Sequence, residues 1–240
     1  MRRCLLIFVC LFAPDRAQAA FAHVSTTQGA GSTSSVTASN SVTSGNLLIA
    51  TCATSNSATA TISSSPSQTW SVLNARQTKT TFSFASWYTI ATSTAGYTAT
   101  CSNGLTATLG FLMQFSGEQN PAVTDGTNTS NGTGTSVTGG NVTTTFANDL
   151  ILGLDTTDSA SATCTQTAGT DNAVAYTIPT NGKHSLICGG VEYKIVTATA
   201  TYSGPITIDS ANWIGFTSSF KDSTFAPASA SRLSLIGVGP

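Results

Sequence analysis

Charge is scarce in this sequence. Asp, Glu, Lys and Arg make up 8 % of the 240 residues, and the formal net charge is −1. No cluster of Lys and Arg is visible, which argues against a nucleic acid or an anionic membrane as the partner. No periodic stripe of Leu with Glu and Lys is present either, so the composition excludes a chain built from amphipathic helices.

Long apolar runs are also missing, apart from a short one near the start. Residues 4–13 are apolar but too few to span a bilayer, and no later stretch is long enough. A basic start precedes this run and Ala17-Gln18-Ala19 follows it, the pattern of a signal peptide. We predict that residues 1–19 are removed, with Ala22 as the alternative cleavage site. The protein is then secreted, extracellular or periplasmic, and the loss of three arginines and one aspartate leaves a net charge of −3.

What the sequence does have is short alternating runs of Thr, Val, Ile and aromatic residues, which favour β-strands. In residues 82–90, for example, Phe82, Phe84 and Tyr88 share one face of the predicted strand. Strands of this kind have one face on a core. We predict an all-β chain.

Related residues recur in the two halves of the chain. Tyr88-Thr-Ile90 matches Tyr193-Lys-Ile195, and the spacing stays constant up to Phe115 and Phe220. Chance agreement among Thr-rich strands would not keep tyrosines, isoleucines and phenylalanines in step. The sequence therefore predicts two related halves, residues 23–118 and 125–222.

The predicted fold is a jelly-roll-like antiparallel β-sandwich built from these two halves. Two sets of strands can face each other across a shared core, which gives a single domain over residues 20–222. Residues 223–240, with Ala, Pro and Ser followed by an apolar stub, are expected to form a flexible tail.

Four of the six cysteines remain after the signal peptide is removed, an even number in an oxidising compartment. Three pairings are possible. We favour Cys52–Cys101 and Cys164–Cys188 because each closes a loop within its half. Each would stabilise the fold by about 2–4 kcal/mol. A zinc site is the alternative, but no Cys-x-x-Cys spacing is present.

Several motifs together resemble a known group of modules. They are Gly45-Asn46-Leu47-Leu48, Thr69-Trp70, Trp87-Tyr88, Ala211-Asn212-Trp213 and Phe220-Lys221. The pattern is similar to jelly-roll-type β-sandwich modules of exported bacterial proteins and of phage tail or fibre proteins. The resemblance covers residues 23–222 and implies a jelly roll. It implies no activity, because that group has no firmly assigned one.

Tryptophans are the candidate binding residues. Trp87 and Trp213 have the opposite parity to their apolar neighbours, and Trp70 lies near a hairpin. The counterpart of Trp87 in the second half is Glu192, a residue type that is rarely buried unpaired, so Trp87 is expected to face solvent. Exposed indoles can stack on sugar rings, which makes a polysaccharide or a cell-surface glycan the candidate partner. The alternative is a second layer that covers these side chains.

Metal sites are possible at two places, although no cofactor is the principal expectation. Cleavage after Ala22 would make His23 the N-terminus, and with His184 it could hold copper in a nitrogen brace. Asp155, Asp158 and Asp171 could bind calcium through oxygen ligands, but no Gly-punctuated loop accompanies them.

Catalytic motifs are absent from the sequence. No Gly-x-Ser-x-Gly elbow is present, and neither Glu118 nor Glu192 has an obvious carboxylate partner. The principal hypothesis is therefore an exported non-catalytic binding or structural module. The alternatives are a copper-dependent oxidative enzyme with the His23/His184 brace, and an extracellular protein that self-assembles through uncharged strand edges. Ice or mineral binding through rows of Thr is related, but no regular Thr-x-Thr repeat supports it.

Overall fold

The computed structural model describes residues 20–31, 35–55, 58–103, 108–117, 122, 124–158, 164–172, 174–184 and 187–222. The predicted signal peptide and C-terminal tail lie outside these residues. The described part of the chain forms eighteen strands and no helix, so the predicted all-β class is confirmed. It contains no helix long and apolar enough to cross a membrane.

The first half forms an inner and an outer antiparallel sheet. Its strands are β1 (Ala22–Gly31), β2 (Ser35–Val42), β3 (Leu47–Thr54), β4 (Thr61–Ser65), β5 (Ser71–Lys79), β6 (Phe82–Ile90), β7 (Ala95–Ser102) and β8 (Thr108–Ser116). The inner sheet has the order β1-β8-β3-β6-β5, and the outer sheet has the order β2-β7-β4. From β1 to β5, successive strands of the chain thus lie alternately in the inner and the outer sheet, which is the winding of a jelly roll.

The second half has the same winding with a reduced outer layer. Its strands are β9 (Thr124–Val137), β10 (Val142–Thr143), β11 (Leu150–Thr157), β12 (Gln166–Ala168), β13 (Thr170–Asp171), β14 (Val174–Ala175), β15 (Thr177–His184), β16 (Ile187–Ile195), β17 (Thr201–Tyr202) and β18 (Ile206–Phe220). The inner order β9-β18-β11-β16-β15 corresponds to β1-β8-β3-β6-β5, and β12 also pairs with β18. The outer pairs are β10-β17 and β13-β14. Common descent of the two halves stays a prediction.

The two inner sheets pack face to face over one central core. Phe84 stacks on Phe216 with ring centroids 4.7 Å apart, and Tyr88 meets Phe220 edge to face at 5.3 Å. Each large apolar side chain buried in this way stabilises the fold by about 1.5–3 kcal/mol. Residues of both halves form this core. The sequence predicts two facing sheets, and the structure adds an outer layer to each of them.

The layer beneath the outer sheet of the first half is apolar. Tyr97 and Ala99 of β7 pack on Leu48 and Leu112 of the inner sheet. The disulfide Cys52–Cys101 joins β3 to β7 with a Cα–Cα distance of 5.7 Å, which confirms that predicted bond. The outer sheet is therefore held on the inner sheet by both apolar contacts and a covalent bond.

Candidate functional site

The outer sheet of the first half presents a face made of hydroxyl groups. Strand alternation points Ala38, Ile62, Tyr97 and Cys101 inward, onto the apolar layers described above. The residues at the alternate positions point outward, and apart from Gly96 each of them is Ser or Thr. We call the following nine residues the hydroxyl face: Thr37, Ser39 and Ser41 on β2, Thr98, Thr100 and Ser102 on β7, and Thr61, Ser63 and Ser65 on β4.

Strand pairing arranges these residues in ranks. Thr37, Thr100 and Ser63 lie side by side across the three strands, and Ser39, Thr98 and Ser65 form the next rank. Neighbouring strands lie about 4.8 Å apart, and alternate residues of one strand lie about 6.6 Å apart. The backbone positions of the hydroxyl face therefore form a two-dimensional array with regular spacing in both directions.

Several contacts fix this array. The Ser39 Oγ and Thr98 Oγ1 atoms are 3.0 Å apart, and Thr61 Oγ1 donates to the Ser102 carbonyl oxygen at 3.3 Å. The side chains on β2 and β4 are exposed, whereas those on the central strand β7 are half-buried between them. The backbone beneath is held by the Cys52–Cys101 bond.

The chemistry of the hydroxyl face is that of a neutral hydrogen-bonding surface. Each hydroxyl group both donates and accepts, and none ionises at ordinary pH. A hydrogen bond to a ligand that replaces a hydrogen bond to water contributes only about 0.5–1.5 kcal/mol to the binding free energy. Useful affinity therefore requires many such bonds made together. The face therefore suits an extended ligand rather than a small one.

The structure buries two of the three candidate tryptophans. Trp87 is 9 % exposed beside Cys52 and Ala85, and Trp213 is 8 % exposed beside Ile206 and Ile208. The prediction that Trp87 faces solvent is wrong, and the alternative, a second layer over the indoles, holds for both Trp87 and Trp213. Their side chains point away from the central core, as parity indicates, but a further layer covers them. Trp70 is half-buried, and its Nε1 donates to Ser64 Oγ at 3.1 Å.

Glu192, the counterpart of Trp87, is fully buried. Burial raises the pKa of its carboxyl to about 9. The Glu192 side chain has room because the residue opposite it on β11 is a glycine. A Cβ atom at Gly153 would lie only 2.6 Å from Glu192 Oε1. The presence of Glu at this position therefore does not indicate an exposed strand face.

The three aspartates suggested for calcium have separate protein partners. Asp155 is buried, burial raises its pKa well above the ordinary value, and its Oδ2 accepts from Gln166 Nε2 at 2.7 Å. Asp158 accepts from the Asn212 backbone N–H at 2.9 Å, and Asp171 accepts from the Ser203 N–H at 2.6 Å. The described residues contain no group of three or more His, Cys, Asp or Glu side chains placed to hold a metal ion.

The two histidines suggested for copper are far apart. His23 stacks on Tyr193 at 4.8 Å, and Tyr193 pairs with Thr177 at the first residue of β15. His184 is the last residue of β15. Seven residues of extended chain span about 23 Å, so the structure does not bring the two imidazoles together.

Cys164 and Cys188 are neighbours but are not joined in the structure. A hydrogen bond to Cys188 and burial raise the pKa of the Cys164 thiol. Both side chains line a cavity of about 10 Å³ together with Gln166, room for one water molecule. The Cys164–Cys188 disulfide stays a prediction.

Sequence reasoning missed the hydroxyl face, although a signal for it was present. Each strand of the outer sheet carries Ser or Thr at three successive alternate positions: Thr37-Ala-Ser39-Asn-Ser41, Thr61-Ile-Ser63-Ser-Ser65 and Thr98-Ala-Thr100-Cys-Ser102. A search for Thr-x-Thr at a fixed sequence spacing overlooks these runs. Only the pairing of β2 and β4 with β7 brings them together.

Comparison with protein-family models, with curated proteins and with solved structures finds no match. The resemblance to exported jelly-roll modules therefore stays a prediction.

Proposed function

We propose that this chain is an exported, non-catalytic binding module that attaches through its hydroxyl face to an extended, uncharged surface. The observation that carries this proposal is the arrangement of nine Ser and Thr side chains in ranks on one sheet. A face without a charged group attracts no particular ion, and its many weak hydrogen bonds favour a repeating neutral partner.

The placement of the acidic groups supports a non-catalytic role. Asp149, Asp155 and Glu192 have raised pKa values because they are buried, and all three side chains have no exposed surface. Groups with perturbed pKa values that act on a substrate lie in clefts that the substrate can enter. The cavity next to Gln166, the partner of Asp155, admits one water molecule and no substrate.

Export is supported by the disulfide between β3 and β7. Such bonds form and persist in oxidising compartments, and they are rare in the cytosol. The bond thus agrees with the signal peptide predicted for residues 1–19.

Binding to a panel of insoluble materials tests the proposed function. We expect the secreted protein to be retained on at least one neutral material among cellulose, chitin, starch granules and ice, with less retention on charged resins. Thr100→Glu places a charge in the centre of the hydroxyl face and should abolish retention. Thr78→Glu, at an exposed position on β5, is the matched control and should bind as the wild type does. Absence of binding to the whole panel would overturn the proposal.

Self-association is a second candidate, favoured by the edge strand β9. Its fourteen residues carry no charge after Asp125, and within the described residues it pairs with β18 on one side only. Uncharged edges of this kind can accept a strand from another chain. Light scattering should then show concentration-dependent oligomers that disappear in Asn131→Lys. A strictly monomeric wild type at high concentration would reject this candidate.

A further inference from the structure

We propose that the partner of the hydroxyl face is the ordered water of an ice surface. This inference rests on the proposed function and deepens it, because it names the surface to which the module binds. Three features of the hydroxyl face lead to it: the chemical composition, the spacing of the ranks and the rigidity of the support.

The composition separates ice from a carbohydrate. Sugar rings are held mainly by aromatic side chains that stack on them, and the nine residues of the hydroxyl face include no aromatic ring. Charged side chains, which would hold their own disordered hydration shells, are also absent from it. Hydroxyl groups and the methyl groups of four threonines remain, and these can be surrounded by a water lattice without disrupting it.

The spacing of the ranks agrees with that of hydrogen-bonded water. Two oxygens that are both bonded to one tetrahedral water lie about 4.5 Å apart, because each O–H···O bond is about 2.75 Å long. Neighbouring strands are about 4.8 Å apart, so side chains that point straight out from a rank hold their hydroxyl groups at about that distance. Thr37, Thr100 and Ser63 can therefore take the places of alternate waters along one row. In the next rank, Ser39 Oγ and Thr98 Oγ1 are 3.0 Å apart, close to the distance between two neighbouring hydrogen-bonded waters.

The support for the array is rigid, which reduces the entropy lost on adsorption. Ser and Thr have a single rotatable side-chain bond to the hydroxyl oxygen, and two of these oxygens, Ser39 Oγ and Thr98 Oγ1, already contact each other. Below the sheet, Tyr97 is fully buried and Cys101 is bonded to Cys52. A preformed array loses less freedom on binding than a flexible loop does.

The experiment is partitioning of the secreted protein into slowly growing ice. Wild-type protein should be enriched in the ice fraction, whereas Thr100→Lys should remain in the liquid with an enrichment about tenfold lower, as expected for the loss of one or two hydrogen bonds. Thr37→Lys, on the exposed strand β2, should behave in the same way if Thr100→Lys fails to fold. Thr78→Lys on β5 is the control and should partition as the wild type does. Circular dichroism and thermal melting of all four proteins establish that each is folded.

The outcomes separate this inference from the proposed function. Enrichment that is lost in the two face variants and kept in the control supports ice as the partner. Retention on cellulose or chitin without partitioning into ice overturns the inference and leaves the proposed function standing. No binding to any neutral surface overturns both. Partitioning that both face variants retain overturns the role of the hydroxyl face.

Discussion

The two halves share a strand order but fill the space beneath their outer layers differently. In the first half, this space holds Trp87 and the Cys52–Cys101 bond. In the second half, the positions equivalent to Trp87 and Cys52 hold Glu192 and Asp155, both buried. The same backbone arrangement therefore accommodates an apolar layer in one half and an acidic layer in the other.

Glycines make the acidic layer possible. At Gly190, which takes the place of Ala85, a Cβ would overlap the Gln166 side chain that binds Asp155. Gly153 leaves similar room for Glu192. Ionisation of a buried carboxyl group costs free energy, so the packing of the second half depends on the protonated state of Glu192 and Asp155. The packing of the first half depends on apolar contacts and a covalent bond. The hydroxyl face lies on the first half, above these apolar contacts and the covalent bond.

The largest expected effect is that of Trp87→Ala. Truncation of a buried tryptophan leaves a cavity and should lower the free energy of unfolding by about 3–5 kcal/mol. Urea unfolding followed by fluorescence measures the change. A loss of less than about 1 kcal/mol, the range of exposed sites, would show that Trp87 is not covered by the outer sheet.

Removal of the Cys52–Cys101 bond should have the next largest effect. The bond closes a loop with a sequence separation of 49, so the double variant Cys52→Ala with Cys101→Ala should lose about 2–4 kcal/mol. Calorimetry of the double variant and of the wild type provides the comparison. If both melt at the same temperature, the bond does not hold the outer sheet on the inner one.

Two buried carboxyl groups of the second half, Glu192 in the acidic layer and Asp149 outside it, predict a stability that falls as the pH rises. The folded-state pKa values of Glu192, about 9, and Asp149, about 8, lie above their unfolded values near 4. Between these pKa values the folded protein binds more protons than the unfolded protein does. The contribution of the two groups to the free energy of unfolding is therefore complete below about pH 4 and is lost as the pH rises through about 8–9. Urea unfolding at pH 5 and at pH 9 measures the difference.

Glu192→Gln separates this effect from other titrations. Glutamine keeps the shape of the side chain without a charge, and at pH 9 the variant should be more stable than the wild type by about 1–3 kcal/mol. At pH 5 the two proteins should be similar. A wild type that is more stable at pH 9 than at pH 5 would contradict a buried, protonated Glu192.

The smallest expected effect concerns Cys164 and Cys188. We expect the protein, produced in an oxidising compartment, to have no titratable thiol after denaturation without reductant, and peptide mapping to link these two cysteines. Their loop is about half as long as that of Cys52–Cys101, so replacing both with Ser should cost less than removing that bond. Two thiols in the denatured protein would show that the first half alone carries a disulfide.

Alternation along the chain was enough to predict the class and the faces of single strands. It placed Phe84 and Tyr88 on the central core and Trp87 on the opposite face, as the structure has them. It could not show what covers that opposite face, because this depends on the pairing of β2, β4 and β7, which are distant in the sequence. The exposure of Trp87 was therefore predicted wrongly, and the hydroxyl face was missed.

Adsorption isotherms of two variants test the central claim most directly, because they compare the hydroxyl face with Trp70, the one candidate tryptophan that is half-buried rather than covered. On whichever neutral surface retains the wild type, Trp70→Ala should adsorb as the wild type does, and Thr100→Glu should lose adsorption while its melting temperature stays close to that of the wild type. The reverse result, with adsorption lost in Trp70→Ala and kept in Thr100→Glu, would place the binding site at the indole and contradict the account.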